Sequence, residues 1–260
     1  MQELKDKVAI ITGGGYGIGK QIALAYARHG IKLALAARSE GPLGETRAAV
    51  EKLGVRAIAL RTDVAKEADC ARMVEETIKA FGRVDILVNN AGIAGPTKRL
   101  TEMTLAEWRE VIDINLTGAW LAARAALPAM AQQKSGNILM ISSGAGRRGY
   151  PLRSPYASSK WALIGLTQTL AGEWGPAGVR VNCICPGAVE GDRIERVMHA
   201  RAEALGVPYA QIRKGFESGA ALQRIVTEDE IARVAVFLVS DLSAGMTGQT
   251  MNVDAGSIMN

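Results

Sequence analysis

The chain has 260 residues, 48% of them hydrophobic and 22% charged, with a formal net charge of +5. This length and composition fit one globular α/β domain, and no apolar run reaches the ~18 residues that a membrane-spanning helix needs. The charge is modest and the Lys and Arg are scattered, which argues against a nucleic-acid partner. The opening MQELKDKVAIIT runs from charged residues directly into a strand-like segment without a signal-peptide pattern, so a cytoplasmic location is expected. Three cysteines without framework spacing fit that compartment, and Cys183 and Cys185 in VNCICPG share one face of a strand, as packing residues would. His29 and His199 are the only histidines and lie in no metal-like motif, so no metal site is expected.

The first predicted strand, 7–12, runs into TGGGYGIG at 12–19 and then into a helix over 17–29. Gly13, Gly17 and Gly19 give the spacing G-x-x-x-G-x-G; with Gly15, Tyr16 and Ile18 they form a turn whose backbone can approach a pyrophosphate at a helix N-terminus. The second strand, 32–37, ends at Ala37, where a site that prefers NAD usually carries an acid. Arg38 and Ser39 follow instead, and an arginine can grip a 2′-phosphate, so NADP(H) is expected over NAD(H).

Further strands are predicted over 55–60, 84–89, 136–142, 179–185 and 249–253, with helices over 66–81, 105–132, 155–174 and 228–240. Alternating near-continuous apolar strands with helices implies a doubly wound, Rossmann-type α/β fold: a seven-stranded parallel sheet covered on both faces, in one domain spanning 1–260. Segment 188–222 breaks the rhythm, as either a substrate lid or a pair of ordinary surface helices.

Tyr156 and Lys160 in YASSK stand at i and i+4 on one helical face, thirteen residues after Ser143 in ISSGAG. An ammonium beside a phenol favours the phenolate and lowers a pKa that starts near ~10. Such a phenol could give a proton to a carbonyl oxygen, or take one from an alcohol, near neutral pH.

With these motifs in order, the chain resembles the short-chain dehydrogenase/reductase family, in its compact branch of about 250 residues. The resemblance covers essentially the whole chain. It implies that Asp63 and Val64 hold the adenine, and that Asn90, Ala91 and Gly92 of NNAG line the cofactor side of the sheet. Pro186, Gly187 and Val189 would lie beside the nicotinamide. Asn115, Ser143, Tyr156 and Lys160 match the family's catalytic tetrad, with Tyr156 and Lys160 also touching the cofactor. In that scheme Tyr156 is the general acid or base, Ser143 bonds the substrate oxygen, and Lys160 holds the nicotinamide ribose and depresses the Tyr156 pKa. Asn115 anchors a water that connects Lys160 to solvent. The resemblance also implies pairing of the helices over 105–132 and 155–174 across a twofold axis, in a homodimer or homotetramer.

Where the family often has a Thr five residues after the Pro of its PG motif, this chain has Gly191. Ser142, Ser158 and Ser159 read as structural, and Trp120, Trp161 and Trp174 as packing. Arg147, Arg148 and Arg153 between Ser143 and Tyr156, with Arg193, Arg196, Arg201, Arg213 and Lys214 in 188–222, suggest that the small-molecule carbonyl or alcohol substrate is anionic, such as a carboxylate, sulfonate or phosphate, or is carried on an acyl-carrier protein. A solvated rim balanced by Glu190, Asp192, Glu195 and Glu203 explains them equally well. The leading reading is an NADP(H)-dependent oxidoreductase interconverting a ketone and a secondary alcohol. An NAD(H)-dependent sugar or polyol dehydrogenase, and a non-catalytic nucleotide-sensing regulator, stand as alternatives.

Overall fold

In the computed structural model, which describes residues 2–259, seven short apolar runs pair into a single sheet. They are β1 (Val8–Thr12), β2 (Lys32–Ala37), β3 (Ala57–Arg61), β4 (Ile86–Asn89), β5 (Gly136–Ile141), β6 (Val179–Pro186) and β7 (Thr250–Val253). The order is β3-β2-β1-β4-β5-β6-β7 and every pairing is parallel. All of β1 is buried, as a central strand covered on both faces must be.

The pleat sends Ile11, Leu33 and Leu35 to one core with α1 (Gly17–Arg28), α2 (Glu40–Glu51) and α9 (Glu228–Val239). Ile10, Ala34 and Leu87 face the other core with α3 (Glu67–Phe81), α5 (Gly118–Gln132) and α6 (Ser154–Trp174). Cys183 and Cys185 are buried on that second face. Because β1 pairs with both β2 and β4, the order in which strands are added reverses there, and a crevice opens beyond the carboxyl ends of the strands.

The expected elements are present, with three departures. Helix α2 was not anticipated, because EGPLGETRAAVE carries two glycines and a proline; Pro42 sits in the first turn, where it costs little, and Leu43, Thr46 and Val50 are buried. The stretch 105–132 is not one regular helix. α4 (Leu105–Ile112), started by a Thr104–Glu107 capping box, passes through a wide π turn at Asp113–Thr117 into α5. Trp120 and Trp161 are half exposed on the outer sides of α5 and α6 rather than packed, whereas Trp174 lies against the core.

Segment 188–222 is a helix pair, α7 (Asp192–Leu205) and α8 (Tyr209–Ser218), built around its own small core of Met198, Ala202 and Ile212. Its root is tied to the body by a bridge between Val189 and Val226.

At the other end of the sheet, buried Asp85 accepts from the Val8 N–H at 2.9 Å and from Arg83 Nε at 2.8 Å and Nη2 at 2.6 Å. Asp85→Ala leaves the Val8 N–H buried without a partner, and should destabilise the fold by about 1–3 kcal/mol. Urea denaturation midpoints of the two proteins check this.

Candidate active site

The crevice widens into a cleft of about 1430 Å³ running from the glycine turn to α7 and α8. At one end, Gly13 has φ +67° and Gly17 φ +54°. A Cβ on Gly19 would stand 2.3 Å from the Gly13 carbonyl oxygen and 2.5 Å from Asn90 Nδ2, so only glycine lets α1 approach the turn this closely. Tyr16, at the N-cap of α1, provides no side-chain cap, which leaves the first-turn N–H groups available to an anion. Thr12 ties the turn to β4: its Oγ1 donates to the Val88 carbonyl and accepts from the Asn90 and Ala91 N–H groups. Asn90 Nδ2 donates to the carbonyls of Thr12 and Gly13. This cradle, closed to a Cβ at Gly13 and Gly19, fits the pyrophosphate of a dinucleotide. Arg38, Ser39, Asp63 and Val64 continue the wall away from it.

The opposite wall is built by β5 and the first turns of α6. Ser143 caps a short 3₁₀ turn, Gly144–Gly146, its Oγ accepting from the Ala145 N–H at 3.1 Å, and its side chain is among the groups that lower the Tyr156 pKa. Lys160 is buried and Nζ donates to the Ile141 carbonyl at 2.8 Å, 5.8 Å from the Tyr156 ring centroid. Asn115 sits in the π turn, fully buried. Its Oδ1 accepts from the Ile93 N–H, while Nδ2 donates to the Ile93 carbonyl and to Ser159 Oγ. Ser159 in turn donates to the Tyr156 carbonyl at 2.8 Å, so Asn115 fixes the loop after β4 to the helix that carries Tyr156.

Burial opposes ionisation of Tyr156, yet Arg193, Lys160, the Ser143 side chain and Arg153 outweigh it and hold the phenol below its ordinary pKa. Tyr156 lies in the first turn of α6, where the helix dipole also favours an anion. Burial lowers the Lys160 pKa, partly opposed by a Tyr156 anion. The Arg153 and Arg193 Cζ atoms lie 5.4 and 6.0 Å from the Tyr156 ring centroid.

Every catalytic and cofactor-binding residue expected from the sequence lines this cleft except Gly15, Gly19 and Asn115, and of the expected rim arginines and lysine, Arg147, Arg213 and Lys214 do not line it. Gly15 is turned inward, its carbonyl accepting from Thr46 of α2. Gly19 lies behind the turn and Asn115 behind Lys160, near enough to Gly92 that a Cβ there would meet Asn115 Oδ1 at 3.1 Å. Thr12 is a site residue not expected from the sequence, and its signal is its place at the strand end before the glycines. Ser159, read as structural, is buried and has that role, linking Asn115 to the Tyr156 carbonyl. The basic residues separate sharply. Arg213 is committed to Glu195 and Glu217, whereas Arg148, Arg153, Arg193, Arg196 and Arg201 line the cleft. Among the described residues no group of three His, Cys, Asp or Glu could hold a metal ion, and no helix is long and apolar enough to cross a membrane.

A doubly wound parallel sheet with a glycine turn at its switch point, facing a Ser–Tyr–Lys wall, defines a dinucleotide-dependent oxidoreductase. The enoyl-(acyl carrier protein) reductase profile matches residues 13–257. An uncharacterized oxidoreductase of Thermotoga maritima is 38% identical, covering 97% of this chain and 98% of that one. The 3-oxoacyl-[acyl-carrier-protein] reductase of a Synechocystis species is 37% identical over the full length of both chains. Among solved structures, NAD+-bound xylitol dehydrogenase superposes with a TM-score of 0.95 at 31% identity, covering 98% of this chain and 100% of its own. The chain belongs to the short-chain dehydrogenase/reductase family and acts on carbonyl or alcohol groups.

Proposed function

We propose that this oxidoreductase interconverts a ketone and a secondary alcohol with NADP(H), Tyr156 acting as general acid in reduction and general base in oxidation. The observation that carries this reading is the set of cations on Tyr156: Arg153, Lys160 and Arg193 all lie within 6.0 Å of its ring centroid. A bound dinucleotide supplies the hydride, and the chain supplies position and proton. The uncapped turn of Gly13, Tyr16, Gly17 and Ile18 would receive the pyrophosphate, and Asp63 and Val64 the adenine. Asn90, Ala91 and Gly92 on one side, and Pro186, Gly187 and Val189 on the other, would flank the nicotinamide half. Ser143 would donate to the substrate oxygen as charge develops there. Lys160 would hold the ribose, and Asn115 would anchor a water through which the proton on Tyr156 is replaced.

The preference for NADP(H) rests on Arg38, exposed beside the cleft where a carboxylate would repel a 2′-phosphate. Arg38→Asp should lower the ratio of kcat/KM for NADPH over NADH by roughly tenfold or more, the worth of one or two charged hydrogen bonds. An unchanged ratio would remove the assignment.

Residues 188–222 would act as the substrate lid, supported by the Arg193 hydrogen bond from α7 to the Gly92 carbonyl at 3.3 Å. A cytoplasmic homodimer or homotetramer would cover the exposed Trp120 and Trp161. An absorbance screen of NADPH and NADH against ketones, sugars, hydroxy acids and aryl alcohols tests the reading. Tight dinucleotide binding with no turnover of any of them would favour a nucleotide sensor instead.

A further inference from the structure

Arg153 is in an unfavourable place for a structural cation. It is 4% exposed, at the N-cap of α6, the end of a helix where positive charge is disfavoured. Its Nη1 donates to Thr97 Oγ1 at 3.2 Å and Nη2 to the Ala94 carbonyl at 2.8 Å, but buried Nε has no partner. Among the described residues no carboxylate pairs with it. The charges that reach it include Arg193 and Arg201, which repel it. Arg193 is exposed to the cleft and Arg201 lies over Tyr150, its Cζ 5.6 Å from the ring centroid. Other arginines of the same region are neutralised: Arg213 by Glu195 and Glu217, and Arg224 by Glu230. Glu190 and Asp192 also line the cleft, but among the described residues neither forms an ion pair with Arg153, Arg193 or Arg201. Asp254 accepts from the N–H groups of Gly256 and Ile258, and Glu228 lies against Gly17 and Gly191.

One buried guanidinium, Arg153, thus faces two further arginines across the cleft with no carboxylate paired to any of the three among the described residues, and an entering anion relieves their mutual repulsion. We propose that Arg153, Arg193 and Arg201 receive an oxyanion group of the substrate, so that the ketone or alcohol handled at Tyr156 carries a small carboxylate or sulfonate. The inference rests on Tyr156 as the proton-transfer group. Guanidinium forks match a planar carboxylate and also accept a sulfonate, and their position beside the Tyr156 ring puts the anion close to the reacting carbon. A neutral polyol would leave all three unpaired.

Matched alcohols test this: 3-hydroxybutanoate against butane-1,3-diol, lactate against propane-1,2-diol, and 2-hydroxypropane-1-sulfonate as the sulfonate arm. The acids should exceed the diols in kcat/KM by roughly tenfold or more, expressed in KM, and Arg153→Gln, Arg193→Gln and Arg201→Gln should each shrink that ratio by about tenfold. In parallel, calorimetry of dinucleotide-loaded enzyme with butanoate, which is not oxidised, should give saturable binding that butan-1-ol lacks and that each variant weakens. Should Arg153→Gln fail to fold, the Arg193 and Arg201 variants on α7 carry the test.

Diols oxidised as well as acids, or butanoate that does not bind, would overturn the anion site while leaving the oxidoreductase reading intact. Faster reduction of the N-acetylcysteamine thioester of 3-oxobutanoate than of the free acid would also overturn it. So would a parallel loss of dinucleotide affinity in the variants, because the arginines would then belong to the cofactor. Arginine-dependent butanoate binding with no alcohol oxidised would keep the anion site and remove the proposed reaction.

Discussion

Tyr156→Phe should lower kcat in both directions by roughly 10²–10⁴-fold, the usual worth of general acid–base catalysis, while the dinucleotide still binds. The phenol is the one acidic group that the wall of β5 and α6 presents beside Ser143, and its hydroxyl interacts with that serine. Phenylalanine keeps the ring that Arg153, Lys160 and Arg193 surround and deletes only the proton-bearing oxygen. The loss therefore falls on chemistry rather than on packing. Stopped-flow turnover together with fluorescence titration of the dinucleotide separates the two, and undiminished turnover would refute the role of Tyr156.

Lys160→Met should have the next largest effect, a fall in the rate of oxidation at neutral pH, since a rise in the Tyr156 pKa leaves less phenolate. The sign follows from the proton. Oxidation needs the phenolate, so its rate falls as pH drops through the Tyr156 pKa; reduction needs the phenol, so its rate falls as pH rises through that value. In the wild type both limbs lie below the ordinary phenol range, because the surrounding cations outweigh burial. Removing Lys160 withdraws one of those cations and moves the limbs to higher pH. It also removes the Nζ–Ile141 hydrogen bond, so stability is measured alongside. A pH–rate profile of the variant that coincides with the wild type would show that Lys160 does not tune Tyr156.

Much of this site was legible in the sequence because it depends on local spacing. An i,i+4 pair on a helix, glycines between a strand and a helix, and a serine at a strand end keep their meaning wherever the chain goes. What depends on distant contacts was not legible. Helix α2 forms against the weak propensity of its glycines because the core accepts Leu43 and Val50. The π turn at Asp113–Thr117 leaves no signature in an otherwise regular apolar pattern, yet it carries Asn115 to Ile93 and Ser159. The arginines illustrate the limit best. Arg153 and Arg213 look alike in sequence, and only the fold gives one to a pair of glutamates and buries the other beside Tyr156.

Hydride transfer paired with proton transfer at Tyr156 is the central step of the proposed reaction, and isotope labelling measures it directly. The enzyme is given reduced dinucleotide deuterated at the transferring position and a ketone identified in the substrate screen, and the product alcohol is examined by mass spectrometry and NMR. Deuterium on the carbinol carbon, formed by wild type and nearly absent with Tyr156→Phe, is the predicted result. A carbinol hydrogen drawn from solvent, or equal deuterium transfer by the variant, would contradict it.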